Sequence, residues 1–457
     1  MGAVELMRRP GRLADFALLR EVPRVIVAHN PVGPLDDPST SDVLAQVDMV
    51  TAALAELGIE ATRLAVAGWR IWEDLASGAP PLPPGTLVFN LVEAPAGVPG
   101  VHPANAAALE LLGLPFSGSS AASLWLTTDK LATRAVLAAE GLPVPAGGRL
   151  DGGGGSGHGR DSGGGNGGDS GWLERNGGAG VLDRVPPPWI LKPAHEDASL
   201  GLDGEAVCAT REAALARAAE LLWRFPGQPL VVEHYLPGRE LNVSLLEATA
   251  TVTATTAIAA AATPTAASAA AVMAGSSAAT PAPAPEPGRN GGGPMSLPVA
   301  EIEFVDYPPG MPRIVGYEAK WQPESFAYTH TVRRFPHDAA SAPLLEQARR
   351  LAVAAWRACG LAGYGRVDLR LDECGVPHVL EVNANPCLAA DAGFMAAAEQ
   401  AGLTAAEVIA RILVAAVERH RRLGAPTLQP SHAAVVGAAG PPASRRRQSA
   451  RRLRAVG

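Results

Sequence analysis

Residues 363–386 read GYGRVDLRLDECGVPHVLEVNANP, a pattern that predicts two β-strands joined by a tight turn at Glu-Cys-Gly. Alternate residues of a strand face the same side, so Arg366 and Asp368 share a face of the first strand and Glu381 and Asn383 share a face of the second. Paired as a hairpin, the strands bring together hard oxygen ligands of the kind that hold Mg²⁺ against nucleotide phosphates. A surface strand with polar outer positions shows the same alternation, so this alternative stays open here.

Strands and helices alternate on both sides of this hairpin. Residues 23–30 (PRVIVAHN) and 86–93 (TLVFNLVE) predict buried strands, and residues 42–57 predict an amphipathic helix that ends at Gly58. A long helix is predicted over 344–358. The alternation indicates an α/β (α+β) fold with a mainly parallel N-terminal sheet.

Three segments differ from the rest in composition. Residues 151–180 are mostly Gly and Ser, and residues 248–293 are an Ala/Thr/Pro tract. Both inserts are expected between paired strands, where a long loop costs little. From Arg421 onward the chain carries eight Arg and no acidic residue, which is typical of a solvated end; contact with an acidic partner or RNA is the alternative.

The composition excludes several classes of protein. At 457 residues with a net charge of −7, the chain has room for two or three domains and no basic excess, so nucleic acid is not expected as a partner. Four dispersed cysteines without a C-x-x-C pair exclude a disulfide framework and a cysteine zinc site, and fit a reducing cytoplasm. The N-terminus lacks the apolar run of a secretory signal, and no segment is expected to cross a membrane.

Lysine is rare, because only three of the 38 basic residues are Lys: Lys130, Lys192 and Lys320. Where Arg is the default cation, a retained Lys suggests a compact ammonium at a phosphate, although chance retention is the alternative. Lys192 ends an apolar run and is followed by Ser199-Leu200-Gly201, which can add a hydroxyl and backbone N–H groups to a polyphosphate site. There is no Walker A loop and no G-x-G-x-x-G after a strand.

Six ordered motifs resemble those of the ATP-grasp superfamily and are most similar to those of D-alanine–D-alanine ligases. The resemblance runs from about residue 25 to residue 420, excluding the two inserts. The motifs are T-D-K (128–130), K-P-A-x-E-D-A-S-L-G (192–201), V-E-H-Y-L-P-G-R-E (232–240), E-A-K-W (318–321), G-R-V-D (365–368) and E-V-N-x-N-P (381–386).

The resemblance implies an ATP-grasp fold preceded by a parallel-sheet domain, with ATP bound between the last two folded domains. Its expected divisions are an N-terminal domain over 1–120, a central domain over 121–247, the insert 248–293, a C-terminal catalytic and metal-binding domain over 294–420, and the tail 421–457.

The resemblance also implies roles for individual residues. Lys130, Lys192, Ser199 and Gly201 would bind the ATP phosphates, and Lys320 would reach the transferred γ-phosphate. The remaining roles are adenine contact by Glu233 and Leu236, ribose contact by Glu240, oxyanion stabilisation by Arg366, and binding of two Mg²⁺ or Mn²⁺ ions by Asp368, Glu381 and Asn383. Arg366, Lys320 and Ser199 are the expected catalytic residues.

The implied reaction joins a carboxylate to an amine through an acyl phosphate, with small-molecule substrates, D-alanine first among them. The alternatives are another amino acid or peptide, a nucleotide-binding module without catalysis, and a biotin-carboxylase-like or carbamoyl-transferring enzyme. The family further implies a cytoplasmic protein and a homodimer.

Departures from the family pattern lie on the substrate side. The first loop contains Asp36 and Asp37 but no clear counterpart of the family's Glu, and the positions of the family's Ser and Tyr are Ala198 and Trp321. Further on, Cys387 replaces a Gly and Ala392 replaces a Ser. Such exchanges change which polar substrate groups can be paired. Three further residues are candidates for substrate contact, His330, Arg333 and Asp391, and a solvated-loop role is the alternative for each.

Overall fold

The computed structural model describes residues 13–33, 38–66, 85–93, 99–151, 173, 178–248, 293–336 and 338–424. Nearly all of the two inserts, the tail beyond residue 424, and the first-loop pair Asp36 and Asp37 lie outside these residues. All four cysteines are described, and all are free thiols.

The N-terminal sheet is parallel and three-stranded, with the order β2-β1-β3. Its strands are β1 (Arg24–His29), β2 (Glu60–Ala65) and β3 (Leu87–Leu91). Helix α1 (Pro38–Glu56) connects β1 to β2 and ends just before Gly58, whose φ of +71° suits a glycine. Both predicted strands and the predicted helix are therefore confirmed.

Further helices follow this sheet: α2 (Pro103–Leu111), α3 (Ala121–Thr128) and α4 (Lys130–Ala139), with 3₁₀ turns at Leu13–Glu21, Pro99–Val101 and Gly178–Val181. Helix α4 begins where the Asp129 carboxylate accepts from the N–H groups of Leu131 and Ala132. This cap fixes Lys130 at the first position of the helix, facing the next sheet.

The central sheet is antiparallel, with the order β4-β7-β5-β6. Its strands are β4 (Gly147–Leu150), β5 (Trp189–Pro193), β6 (Val207–Cys208) and β7 (Leu230–His234), and helix α5 (Arg211–Arg224) packs against it. The expectation that the first insert separates paired strands is wrong: β4 and β5 both pair with β7, which lies between them. Sequence order suggested a hairpin because β7 comes later in the chain.

The C-terminal sheet follows the order β11-β10-β8-β12-β13, with β9 on β8. Its strands are β8 (Glu240–Leu246), β9 (Met295–Ser296), β10 (Ala300–Phe304), β11 (Thr331–Arg334), β12 (Tyr364–Leu371) and β13 (Pro377–Asn383). The second insert does separate paired strands, since Leu246 pairs with Met295. Strand β8 belongs to this sheet although it precedes the boundary predicted at residue 248.

Helices complete the C-terminal part: α6 (Tyr317–Trp321), α7 (Phe326–His330), α8 (Ala342–Ala358), α9 (Gly393–Gln400) and α10 (Ala405–Leu423). Thr404 and Glu407 form a reciprocal capping box that starts α10, and Gly424 ends it in the left-handed conformation. Its fully buried Ile409, Ile412 and Leu413 join the core of the N-terminal sheet, and each such side chain stabilises the fold by about 1.5–3 kcal/mol. Helix α10 thus packs the C-terminal part of the described chain against the N-terminal sheet.

Within the described residues no single helix is long and apolar enough to cross a membrane, and one bent pair, α9 with α10, passes by length and composition only.

Candidate active site

The hairpin predicted from residues 363–386 forms, and its register brings the four marked side chains together. Arg366 lies opposite Asn383, and Asp368 lies opposite Glu381, on the antiparallel pair β12 and β13. The Arg366 guanidinium donates to both oxygens of Asp368, at 2.7 and 2.8 Å. Asn242 of β8 donates to the same carboxylate at 2.8 Å. The alternation on these strands therefore belongs to a polar cluster.

The three lysines of the chain converge on one carboxylate, that of Glu381. The Lys130 ammonium lies 3.4 Å from Oε1 of Glu381, and Lys192 and Lys320 act on the same group electrostatically. Burial disfavours the charge on Glu381, but these ammonium groups prevail and hold its pKa at about 2. Glu381 is thus ionised at neutral pH.

For Lys320, in contrast, the effects that disfavour the charged form are the larger ones. Burial and the nearby Arg366 guanidinium lower the pKa of its ammonium, and the carboxylates of Glu381 and Asp368 only partly compensate. An anion bound near Lys320 and Arg366 would reduce the repulsion between these two cations. The position of Lys320 therefore suits a transferred phosphate.

The donor set suits a hard divalent cation. Asp368, Glu381 and Asn383 offer carboxylate and amide oxygens from two adjacent strands, the ligand type that Mg²⁺ prefers. The Asn383 amide oxygen is already oriented, because it accepts from the N–H of Asn385 at 3.0 Å. Since no group of three or more His, Cys, Asp or Glu side chains within metal-binding reach occurs among the described residues, the set depends on that amide.

The loop that carries Ser199, residues 195–203, is docked onto the segment that leads into α6. Ser199 donates its hydroxyl to the Val315 carbonyl at 2.8 Å, and the Trp321 indole N–H donates to the Ala198 carbonyl at 2.9 Å. Ala198, Ser199 and Gly201 all have positive φ, at 55°, 63° and 78°. A positive φ is energetically unfavourable for Ala198 and Ser199, so the hydrogen bonds that dock the loop must stabilise this backbone conformation.

The two residues that depart from the family pattern in this region, Ala198 and Trp321, are therefore hydrogen-bonded to each other. The acceptor is the backbone carbonyl of Ala198, at the position where the family has a serine. The donor is the indole N–H of Trp321, at the position where the family has a tyrosine.

The residues expected at adenine and ribose have charged partners. Glu233 at the end of β7 is buried, and its carboxylate meets Lys192 at 3.0 Å and Arg134 at 3.2 Å. Burial raises the pKa of Glu240 although the Arg370 guanidinium lies 2.9 Å away and opposes this. Leu236, between them, is buried.

A narrow, open cleft lies between the central sheet and the hairpin, and Lys130, Glu233 and Glu381 line it. Of the residues predicted for the nucleotide, Lys130 and Glu233 line this cleft, Lys192 contacts Glu233, and Ser199 and Gly201 lie on the docked loop. Sequence reasoning missed Arg134 and Arg370. The alternation on β12 could have indicated Arg370, which follows Arg366 and Asp368 on the same face.

The three candidates for substrate contact, His330, Arg333 and Asp391, do not form one cluster. Arg333 donates to the carbonyl of Asp391 at 3.0 Å, so these two meet. His330 does not join them, because its ring bonds to the Phe326 carbonyl and stacks on the Phe326 ring at 3.8 Å. Ala392 caps α9 without a side-chain hydrogen bond. The Cys387 thiol donates to the Asp42 carboxylate at 3.0 Å.

Comparison with known proteins identifies the family. The family model described as the D-ala D-ala ligase C-terminus matches residues 307–414. The D-alanine–D-alanine ligase of Bordetella pertussis (strain Tohama I) is 30% identical over 315 residues, which are 68% of this chain and 72% of that protein. An uncharacterized protein, y4sG of Sinorhizobium fredii, is 27% identical over 82% of this chain and 87% of its own length.

A solved structure extends the likeness to the fold. The D-alanine–D-alanine ligase of Bacillus anthracis, in complex with ATP, superposes with a TM-score of 0.56 at 16% identity and covers 88% of this chain and 99% of its own. At 16% identity, this match supports the ATP-grasp fold and nothing more specific. Sequence relatives, matched motifs and fold agree, and the chain belongs to the D-alanine–D-alanine ligase family.

Proposed function

We propose that this protein is an ATP-dependent ligase that joins a carboxylate to an amine through an acyl phosphate, with D-alanine as the first substrate to test. The observation that carries the proposal is the convergence of Lys130, Lys192 and Lys320 on Glu381, beside the Arg366–Asp368 pair. Four cations gathered in one cluster suit a polyphosphate and its metal ions better than any uncharged ligand.

In the proposed reaction, a carboxylate oxygen of the first substrate attacks the γ-phosphorus of ATP, the bond to ADP breaks, and an acyl phosphate forms. The amine of the second substrate then attacks the acyl carbon, the amine loses a proton, phosphate leaves and an amide results. Lys130, Lys192 and Lys320 would bind and neutralise phosphate oxygens, and Arg366 would stabilise the oxyanion on the attacked carbon.

The resting ion pairs suggest how the site accepts a nucleotide. Lys192 can exchange the Glu233 carboxylate for a phosphate because Arg134, 3.2 Å from Glu233, keeps that buried carboxylate neutralised. Glu240 stays paired with Arg370 in the same way while it meets a ribose hydroxyl. Ser199 and Gly201 belong to the docked loop, which would exclude water from the acyl phosphate.

Asp368, Glu381 and Asn383 would hold two Mg²⁺ ions, or two Mn²⁺ ions instead. When bound, the metal neutralises negative charge on the ATP phosphates.

The test is Mg²⁺-dependent release of ADP by the purified protein, with D-alanine first and then a panel of D- and L-amino acids. We expect D-alanine to stimulate release, and we expect Lys192→Met to abolish it. Arg349→Met, which removes a half-buried cation on α8, is the matched control and should behave as the wild type. No stimulation by any acid, with ATP still bound, would overturn the proposal.

A different amino acid is the second candidate substrate, because Ala198 and Trp321 replace side chains that the family places near the first substrate. Stimulation by that acid and not by D-alanine would retain the reaction and change its substrate. A module that only binds nucleotide is disfavoured, since such a module needs no Arg366 beside the phosphate site. The division into five segments, the homodimer and the cytoplasmic location remain predictions.

A further inference from the structure

Helix α6, which carries Lys320, is too short to be stable by itself. It spans only Tyr317–Trp321, and its N-cap residue is Gly316, which has no side chain to cap it. So short a helix is unstable in water, because its first N–H groups have no partners within the helix and its few bonds do not offset the ordering of the chain. The position of Lys320 therefore depends on the contacts that α6 makes with the rest of the protein.

The docked loop supplies such contacts at both ends of α6. At the first residue, the Tyr317 N–H donates to the Leu202 carbonyl at 2.7 Å, and at the last residue the Trp321 indole N–H donates to the Ala198 carbonyl at 2.9 Å. The first approach is close: a Cβ added to Gly316 would lie 2.8 Å from the Leu202 carbonyl oxygen, so a side chain there would displace the loop. The loop thus holds α6 at its two ends.

The front of the loop is held by a contact that a nucleotide would compete for. The Lys130 ammonium donates to the Glu196 carbonyl and lies 3.4 Å from the Asp197 carboxylate. Because Lys130 is one of the cations proposed to bind the ATP phosphates, phosphate oxygens would compete with these loop oxygens. An anchor elsewhere has to keep the loop in place when Lys130 binds a phosphate.

The rear of the loop has such an anchor in Arg217 of α5, whose side chain is only 4% exposed. One guanidinium nitrogen donates to the Gly201 carbonyl at 3.1 Å and to the Asp203 carboxylate at 2.7 Å, and another donates to Glu220 of the same helix at 2.5 Å. Gly201 is closely packed as well, since an added Cβ would lie 2.8 Å from the ring of Pro193. Arg217 is not one of the cations proposed for the phosphates, so this contact remains when a nucleotide binds.

We propose that Arg217 is a positioning residue for the transferred phosphate. It fixes the rear of the docked loop to α5, the loop holds both ends of α6, and α6 carries Lys320. Arg217 itself does not touch the nucleotide in this arrangement and acts through the loop. The inference rests on the proposed ligase function and adds to it a residue outside the phosphate cluster.

The guanidinium has one carboxylate partner on the loop and one on its own helix, which gives a matched pair of variants. Asp203→Asn removes the charge on the loop side and keeps an oxygen that can accept from the Glu205 N–H. Glu220→Gln removes an equal charge on the helix side. With the acid that stimulates the wild type best, Asp203→Asn should lower the turnover number for ADP release about 3–30-fold, and Glu220→Gln less than about twofold. Equal effects of the two variants would overturn the inference.

Substitution of Arg217 tests the anchor itself. Arg217→Met removes both contacts to the loop and should lower the turnover number more than Asp203→Asn does, whereas Arg217→Lys keeps the charge and should recover part of the loss. Leu215→Ala, which removes a buried side chain from the same helix, controls for lost stability. All are assayed well below their melting temperatures. A loss in Leu215→Ala equal to that in Arg217→Met would assign Arg217 to the fold alone and overturn the inference.

A double-mutant cycle tests whether the effect passes through the loop to α6. Trp321→Phe removes the bond between the loop and the last residue of α6. In that background Asp203→Asn should lower the turnover number by a smaller factor than in the wild type, while Glu220→Gln should act alike in both backgrounds. An equal or larger factor for Asp203→Asn would contradict the inference.

Hydrogen exchange without ATP distinguishes failure of this inference from failure of the ligase proposal. Asp203→Asn should speed the exchange of backbone N–H groups in residues 315–322 about threefold or more, and Glu220→Gln should leave it unchanged. If exchange responds in this way while the wild type releases no ADP with any acid, the ligase proposal fails and the anchoring of α6 through Arg217 stands. If exchange in this segment is the same in both variants, the inference fails, whatever the ADP release shows.

Discussion

The nucleotide half of the site keeps its expected residues, whereas the substrate half has exchanged several of its own. In the nucleotide half, Lys130, Lys192 and Lys320 all act electrostatically on Glu381. In the substrate half, Ala198 and Trp321 make a hydrogen bond that uses a backbone carbonyl. A phosphate needs full positive charges at fixed points, and few groups can supply them. A neutral hydrogen bond can be supplied by any nearby donor and acceptor, so this half of a site can change its side chains and keep its contacts.

The largest expected effect comes from the shared centre of the two halves, in Arg366→Gln. We expect the turnover number to fall about 10²–10³-fold, because the variant removes the charge that faces the oxyanion and leaves Asp368 without its bidentate partner. ADP release measures this. Arg349→Gln is the control, and a loss below tenfold would mean that Arg366 serves the fold and not the reaction.

Glu381→Gln tests whether the lysine cluster depends on its central carboxylate. The lysines hold the pKa of Glu381 at about 2, below the ordinary value of 4.5, so its charge stabilises the fold above about pH 4.5 and this contribution is lost as the pH falls toward 2. With partial exposure taken into account, we expect the variant to lose about 2 kcal/mol of unfolding free energy at pH 7.

The measurement for Glu381→Gln is urea unfolding at pH 7, 5, 4 and 3, with exposed Glu346→Gln as the control. The difference from the wild type should shrink as the pH falls. A constant difference would show that lost packing, and not lost charge, destabilises the variant.

Trp321→Phe tests the backbone contact of the substrate half. It removes the indole N–H that binds the Ala198 carbonyl and keeps an aromatic ring, so a loss of about 1 kcal/mol should open the loop more often. We expect the KM for ATP to rise about fivefold, since one such bond corresponds to roughly this factor, and more ADP to be released per amide formed as water enters. Trp223→Phe, at a residue that is 79% exposed, should change neither.

The smallest effect concerns Ala392, which begins α9 without a side-chain cap. Ala392→Ser should raise the unfolding free energy by about 0.5–1 kcal/mol, because serine accepts from the first free N–H groups of the helix. Ala396→Ser, inside the same helix, should lower it by a few tenths of a kcal/mol (about 0.5). Chemical denaturation of the two variants measures both changes in unfolding free energy. Equal changes would contradict capping by Ser at position 392.

Local patterns in the sequence predicted what local physics determines. The hairpin around Arg366 and Glu381, the helix that ends before Gly58, and the parallel strand at residues 23–30 followed from alternation, a glycine stop and apolar runs. The pairing of β4 and β5 through β7 did not, because strand order depends on contacts between distant segments. Ala198 and Trp321 are 123 residues apart, and nothing near either one indicates their bond.

The register of β8 with β9 has a practical consequence for dividing the molecule. The chain leaves β8 at Leu246 and re-enters the same sheet at Met295, its direct partner across the ladder. We therefore expect residues 249–292 to tolerate shortening or a cut, because the sheet itself holds the two flanking strands in register. A break at this point would put β8 in one fragment and its two neighbours, β10 and β12, in the other, so the fragments could rebuild the sheet only if β8 inserted between those two strands.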